Sequence, residues 1–172
     1  MTKLAVIGDV HGHMTHLERV MEAIDAEDSV SGILLVGDLG VGLHNSNLQH
    51  PGKIDAYTRS VQAILDRVHE AKLPTAWVPG NHDLQTPDIP PPKPGDRHLG
   101  NIDFTVANVG GLQVAGIGGA GPARFGFPYE WGEDDIRGRQ IPACDVVLSH
   151  TPPADTPLDR VPGRGIHVGS QA

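Results

Sequence analysis

Thiols are nearly missing from this chain: Cys144 is the one cysteine among 172 residues. A lone thiol excludes an internal disulfide and argues against a cysteine-held structural zinc site. Its place at the head of an apolar run makes Cys144 a small core residue rather than a nucleophile. Positive charge is also short, with 13 Lys and Arg against 21 Asp and Glu and a formal charge of −8. That balance offers no basic face to polymeric nucleic acid, although a nucleotide whose phosphate is neutralised by metal stays open. No apolar run approaches the ~20 residues of a membrane span. Strand-like sequence begins by Leu4, too early for a charged n-region and apolar h-region. Internal repeats are lacking too. A cytoplasmic protein with a single domain over residues 1–172 is expected.

What the chain does contain is four apolar runs, each closed by a polar residue of metal-binding type. Leu4-Ala5-Val6-Ile7 precedes Asp9 and His11, Leu34-Leu35-Val36 precedes Asp38, Ala76-Trp77-Val78 precedes Asn81 and His82, and Val146-Val147-Leu148 precedes His150. Such runs read as buried strands whose C-terminal ends deliver side chains into one crevice. Carboxylate, imidazole and carboxamide donors without thiolate suit Mn²⁺, Fe, Zn²⁺ or Ni²⁺. Asp9 and His11, two residues apart, are expected to share a face and bind one ion. Asp38, following Gly37, has two oxygens with which to bridge two ions, and Asn81 and His150 would complete a less anionic second site.

The rest of the chain supplies a scaffold for that crevice. A strand over about residues 3 to 8 leads to a helix opened by a Thr15/Glu18 capping box, with Leu17, Val20, Met21 and Ile24 on one face. A strand over 32–36, a helix carrying Ile54, Tyr57, Val61, Ile64, Leu65 and Val68, and a strand over 75–78 complete a β-α-β-α-β series. Right-handed crossovers make that series a parallel sheet. After the proline cluster from Pro87 to Pro94, shorter runs over 104–109, 112–117 and 145–148 predict a second sheet, with the proline stretch as the link.

Gly8-Asp9-Val10-His11-Gly12, Gly37-Asp38, Gly80-Asn81-His82-Asp83 and Ser149-His150 resemble, in order, the first four signature blocks of the calcineurin-like metallophosphoesterases. The resemblance spans nearly the whole chain and implies an α/β fold of two stacked mixed β-sheets flanked by helices. It implies that Asp9 and His11 hold a first metal, that Asp38 bridges, that Asn81 and His150 hold a second, and that His82 contacts the phosphate and protonates the leaving group. The implied enzyme hydrolyses a phosphate mono- or diester with hydroxide activated by two divalent ions, Mn²⁺ foremost. Its substrate is a small phosphorylated molecule, a nucleotide among the candidates.

The family's fifth block, Gly-His-x-His, has no counterpart here. His167-Val168-Gly169-Ser170 resembles the segment that opens the helix before that block, with Ser170 as N-cap, while Thr151 to Gly165, rich in proline, reads as a loop. The expectation is a C-terminally shortened metallophosphoesterase in which each ion keeps three protein ligands at most, with weak activity and an open sheet edge that invites self-association. The rival expectation is a scaffold of the same fold with little or no catalysis.

Other residues receive plainer readings. His13, His16, His44, His50, His69 and His98 are expected to be solvated. Phe125, Phe127, Tyr129 and Trp131 alternate in a Gly- and Pro-rich segment and are read as packing, with base stacking as the alternative. Gly118-Gly119-Ala120-Gly121 only loosely resembles a phosphate loop.

Overall fold

The computed structural model describes residues 2–89 and 99–171. Pro90, Pro91, Pro92, Pro94 and His98, and with them the expected link between sheets, lie outside the described residues. Strands β1 (Lys3–Ile7), β2 (Val30–Leu35), β3 (Thr75–Trp77) and β4 (Leu99–Asn101) form one sheet in that order, and every pairing in it is parallel. Strands β5 (Val106–Val109), β6 (Leu112–Ile117) and β7 (Val146–Ser149) form the second, in which β5 is antiparallel and β7 parallel to β6. The two-sheet α/β fold is therefore as expected, with the mixture confined to the smaller sheet.

Helices α1 (Met14–Asp25) and α2 (Pro51–His69) cover one face of the parallel sheet. Their apolar stripes supply Leu17, Met21 and Ile24 from α1 and Tyr57, Val61, Ile64, Leu65 and Val68 from α2 to a core shared with Ile7, Ile33, Leu35 and Trp77. Alternation along β2 decides the two faces: Ile33 and Leu35 meet the helices, whereas Leu34 enters the inter-sheet core with Ala76, Val78, Val109, Val114 and Leu148. Val20, expected inside, is 40% exposed. The Thr15/Glu18 capping box does not form. Bonds from His11 N to the Asp38 carbonyl and Gly12 N to the Leu39 carbonyl pin the preceding loop to the end of β2. That brings the helix in at Met14, with His13 as an N-cap that makes no side-chain bond.

Two of the runs read as buried strands lie at sheet edges instead. Only Ile7 of β1 and only Leu148 of β7 are buried, and Val6 and Val147 are 64% and 48% exposed. Cys144 is half-buried, two residues before β7 begins.

Three further elements were not anticipated: β4, the short helix α3 (Glu133–Arg137), and a hairpin of β8 (Arg160–Val161) with β9 (Ile166–His167). The hairpin interrupts the expected loop after Thr151. Ser170, expected as a helix N-cap, pairs with Pro153 in an isolated bridge and donates its hydroxyl to Glu133 Oε2 at 3.0 Å. Trp131 and Tyr129 pack with Ile136, and Trp131 Nε1 donates to the Gly118 carbonyl at 2.9 Å. The Gly118, Gly119 and Ala120 amides are all taken by protein acceptors, so that turn is no phosphate cradle. No helix among the described residues is long and apolar enough to cross a membrane.

Candidate metal centre

Asp9, His11 and Asp38 sit just beyond the ends of β1 and β2, and each has a left-handed backbone, with φ of 53°, 46° and 51°. Non-glycine residues in that region cost free energy and persist where surrounding bonds over-determine them. Here the bonds are visible: Asp9 N donates to the Gly37 carbonyl at 3.1 Å and His11 N to the Asp38 carbonyl at 2.8 Å. The two loops are thus laced together. Pleat alternation, the expected reason for Asp9 and His11 to share a face, is not the cause, because β1 ends at Ile7.

Ligand atoms of Asp9, His11 and Asp38 all lie within 4.8 Å of one another. His11 Nε2 stands 3.8 Å from Asp9 Oδ1 and 3.6 Å from Asp38 Oδ2. Both separations exceed hydrogen-bond length. They match what two donors on one ion would show, since metal–ligand bonds of about 2.1 Å at tetrahedral or wider angles place donors about 3.4–4.2 Å apart. Asp38 is 3% exposed, whereas the Asp9 side chain is 71% exposed, so the cluster opens to solvent on the Asp9 side.

On its other side Asp38 meets the remaining two candidates. His150 Nε2 lies 3.8 Å from Asp38 Oδ1 and 2.9 Å from Asn81 Oδ1. Its Nδ1 is 2.6 Å from the Val36 carbonyl, which only accepts, so Nδ1 carries a hydrogen and Nε2 is the atom turned toward the Asn81 oxygen. Asp38 Oδ1, Asn81 Oδ1 and His150 Nε2 thus converge, with Asp38 Oδ1 also accepting the His82 amide. The donor set fits a divalent ion.

Two glycines make this convergence sterically feasible. A Cβ on Gly37, whose φ is +82°, would lie 2.4 Å from Gly80 N, and one on Gly80 would lie 2.1 Å from Asp38 Oδ1. Only hydrogen fits at either position.

His82 donates its backbone amide to Asp38 Oδ1 at 2.9 Å. Its Nδ1 is 3.1 Å from the Leu43 carbonyl, which assigns the hydrogen to Nδ1 in the neutral ring and leaves Nε2 available. Phe127 lies against that ring at 4.0 Å between centroids, and His11 stands edge-on at 5.3 Å. The aromatic segment therefore divides its labour. Tyr129 and Trp131 pack as expected, Phe125 is 50% exposed, and Phe127 supports His82.

Asp83, the last residue of its block, has a structural role that the block alone does not announce. It is 1% exposed, and Oδ2 accepts from Gly80 N at 2.8 Å and Leu39 N at 3.3 Å, tying the Asn81–His82 turn to the Asp38 turn. Burial pushes its carboxyl above the usual range, and the nearby Asp38 charge adds to that. Burial and the Asp83 charge likewise raise the Tyr57 hydroxyl, which accepts from Leu84 N at 3.1 Å. The neighbourhood of Gly80 in the sequence was the available signal. The carbonyls of Val36 and Leu43, which orient His150 and His82, had none.

His167 does not join the cluster: its Nδ1 is 2.9 Å from Oδ1 of the buried Asp159. It does help line a cavity of about 650 Å³ that also contains Asp9, Asn81 and His150. His13, His16, His44 and His50 are exposed, as expected, whereas His69 near the end of α2 is half-buried.

A family model described as calcineurin-like phosphoesterase matches residues 2–172. The chain belongs to the calcineurin-like phosphoesterases. It is 33% identical over 78 residues to the uncharacterized protein MJ1162 of Methanocaldococcus jannaschii, a match covering 42% of this chain and 36% of that protein. Among solved structures it resembles TT1561 of Thermus thermophilus, with a TM-score of 0.54 at 20% identity, over 79% of this chain and 59% of the other. This chain thus spans little more than a third of the curated relative and under two thirds of the solved one. The structural likeness speaks for the fold alone. Asp9, His11 and Asp38 are the group of side chains among the described residues that could hold a metal ion.

Proposed function

We propose that the chain hydrolyses a small phosphate ester at two divalent ions, one held by Asp9, His11 and Asp38 and the other by Asp38, Asn81 and His150. The observation that carries this reading is the position of Asp38, whose Oδ2 faces His11 and whose Oδ1 faces His150. Bound divalent ions would supply Lewis acidity to the phosphoryl oxygens and lower the pKa of the attacking water. Mn²⁺ suits the oxygen and nitrogen donors.

The chain's own residues do the rest. The Leu43 carbonyl fixes the His82 ring so that Nε2 is the atom left to carry a proton to the departing oxygen, and Phe127 shields one face of the ring from water. Asp83 holds the Gly80–His82 turn at a fixed distance from Asp38. Both sheets contribute donors, which supports reading residues 1–172 as one catalytic domain. Open edges at Val6 and Val147 support self-association, which sedimentation velocity would reveal.

The test is metal-dependent turnover of p-nitrophenyl phosphate and bis(p-nitrophenyl) phosphate. Activity that appears with Mn²⁺, disappears with EDTA and is lost in Asp38→Asn is the expected result. For His82→Ala, turnover of an ester with a poor leaving group should fall at least 100-fold, within the range of general acid catalysis. Full turnover by that variant would remove His82 from the mechanism, and metal-independent turnover would remove the ions.

A further inference from the structure

The ligand-bearing cavity is larger than a phosphoryl group needs, and much of its remaining lining comes from outside the metal cluster. Arg160 and His167 pair directly across the β8–β9 hairpin, and both line this cavity. Residues opposite one another in an antiparallel pair project to the same side, so the two side chains stand together. Asp159, which is 0% exposed, takes His167 Nδ1 at 2.9 Å and the Asp155 amide at 2.9 Å, anchoring the hairpin from beneath. Arg124 reaches the same cavity from the segment that carries Phe125 and Phe127.

Among the described residues these guanidinium groups are not spent on ion pairs. Neither Arg124 nor Arg160 has a carboxylate within 4.0 Å among the described residues. Glu130, which also lines the cavity, is occupied by the amides of Phe125, Gly126 and Phe127 at 2.8–3.2 Å. Two carboxylates line the same cavity, Asp9 on the metal side and Glu130 held by backbone amides, which leaves the two arginines as its unengaged charged side chains away from the metal cluster. Phe125 and Leu158, exposed by 50% and 76%, line it as well and offer apolar surface to a carbon skeleton.

We propose that Arg124 and Arg160 form a second anion site in this cavity, so that the preferred substrates are organic phosphates carrying a further phosphoryl group besides the one that is hydrolysed. Planar guanidinium forks suit phosphate oxygens, and binding the distant group orients the ester without taking part in bond cleavage. Arg124 and Arg160 are thus specificity determinants. The inference rests on the phosphoesterase reading for its catalytic half only.

The test compares adenosine 5′-phosphate with adenosine 3′,5′-bisphosphate on the Mn²⁺-loaded full chain and on the double variant Arg124→Ala/Arg160→Ala. Both side chains are exposed, so the variant should fold. Wild-type kcat/KM should favour the bisphosphate at least tenfold, and that preference should fall at least tenfold in the variant. A preference that stays within twofold of wild type overturns the proposal. If neither compound is hydrolysed, the phosphoesterase reading still stands or falls on the nitrophenyl esters, and calorimetric titration with the bisphosphate decides the anion site. Binding weakened tenfold or more in the variant supports it, and absent or unchanged binding overturns it.

Discussion

His150 Nε2 stands 2.9 Å from Asn81 Oδ1, while Nδ1 of the same ring is committed to the Val36 carbonyl. The two atoms are placed to serve the same divalent ion, at the separation of neighbouring donors in an octahedral shell. His150→Ala should therefore weaken or abolish the second of two Mn²⁺-binding steps, by tenfold or more in a calorimetric titration. An unchanged isotherm would mean that the ring holds no ion.

Metal should also stabilise the fold, because the Asp9, His11 and Asp38 donors come together only in the native state. At 100-fold excess over Kd the gain is about 2.7 kcal/mol per site, or about 5–10 °C in melting temperature for a chain of this size. Differential scanning calorimetry with Mn²⁺ and then EDTA checks this. A melting point indifferent to both would count against a native-state site.

Gly80→Ala should be among the most damaging single-methyl changes in the protein. The new Cβ would sit 2.1 Å from Asp38 Oδ1 and 2.4 Å from Asp38 N, so the carboxylate or the turn must move. A loss of about 1–3 kcal/mol in chemical denaturation is expected, with Mn²⁺ affinity falling alongside it. Gly52→Ala is the control. It lies in α2 with nothing within 4 Å of the added methyl, and should stabilise by about 0.5–1 kcal/mol.

Asp83 gives a prediction in pH. Its folded-state carboxyl titrates above the ordinary 3.8, chiefly because it is buried, so the folded chain binds this proton more tightly than the unfolded one. Its contribution to stability is thus fully present below pH 3.8 and declines as pH rises through the folded value. In EDTA, Asp83→Asn should flatten that decline in denaturation free energy measured between pH 4 and 7. Asp83→Ala should instead lose about 1–3 kcal/mol at every pH, because the buried Gly80 and Leu39 amides lose their acceptor. A wild-type profile identical to that of Asp83→Asn would show that Asp83 does not titrate differently on folding.

Local pattern carried much of this protein. Period-3.6 apolar positions such as Tyr57, Val61 and Val68 announce α2, and short apolar runs before Asp38 and Asn81 announce β2 and β3, because amphipathic periodicity is a property of neighbouring residues. The order of the polar blocks marked the family and its ligand types. Three things depended on contacts remote in sequence and were settled only by the tertiary structure. Edge position exposes Val6 and Val147 despite their apolar neighbours, since burial depends on which strands lie alongside. The left-handed turns at Asp9, His11 and Asp38 hold their shape through bonds between separate loops. The tautomers of His82 and His150 are chosen by the carbonyls of Leu43 and Val36, 39 and 114 residues away along the chain, and a backbone carbonyl leaves no mark on residue identity.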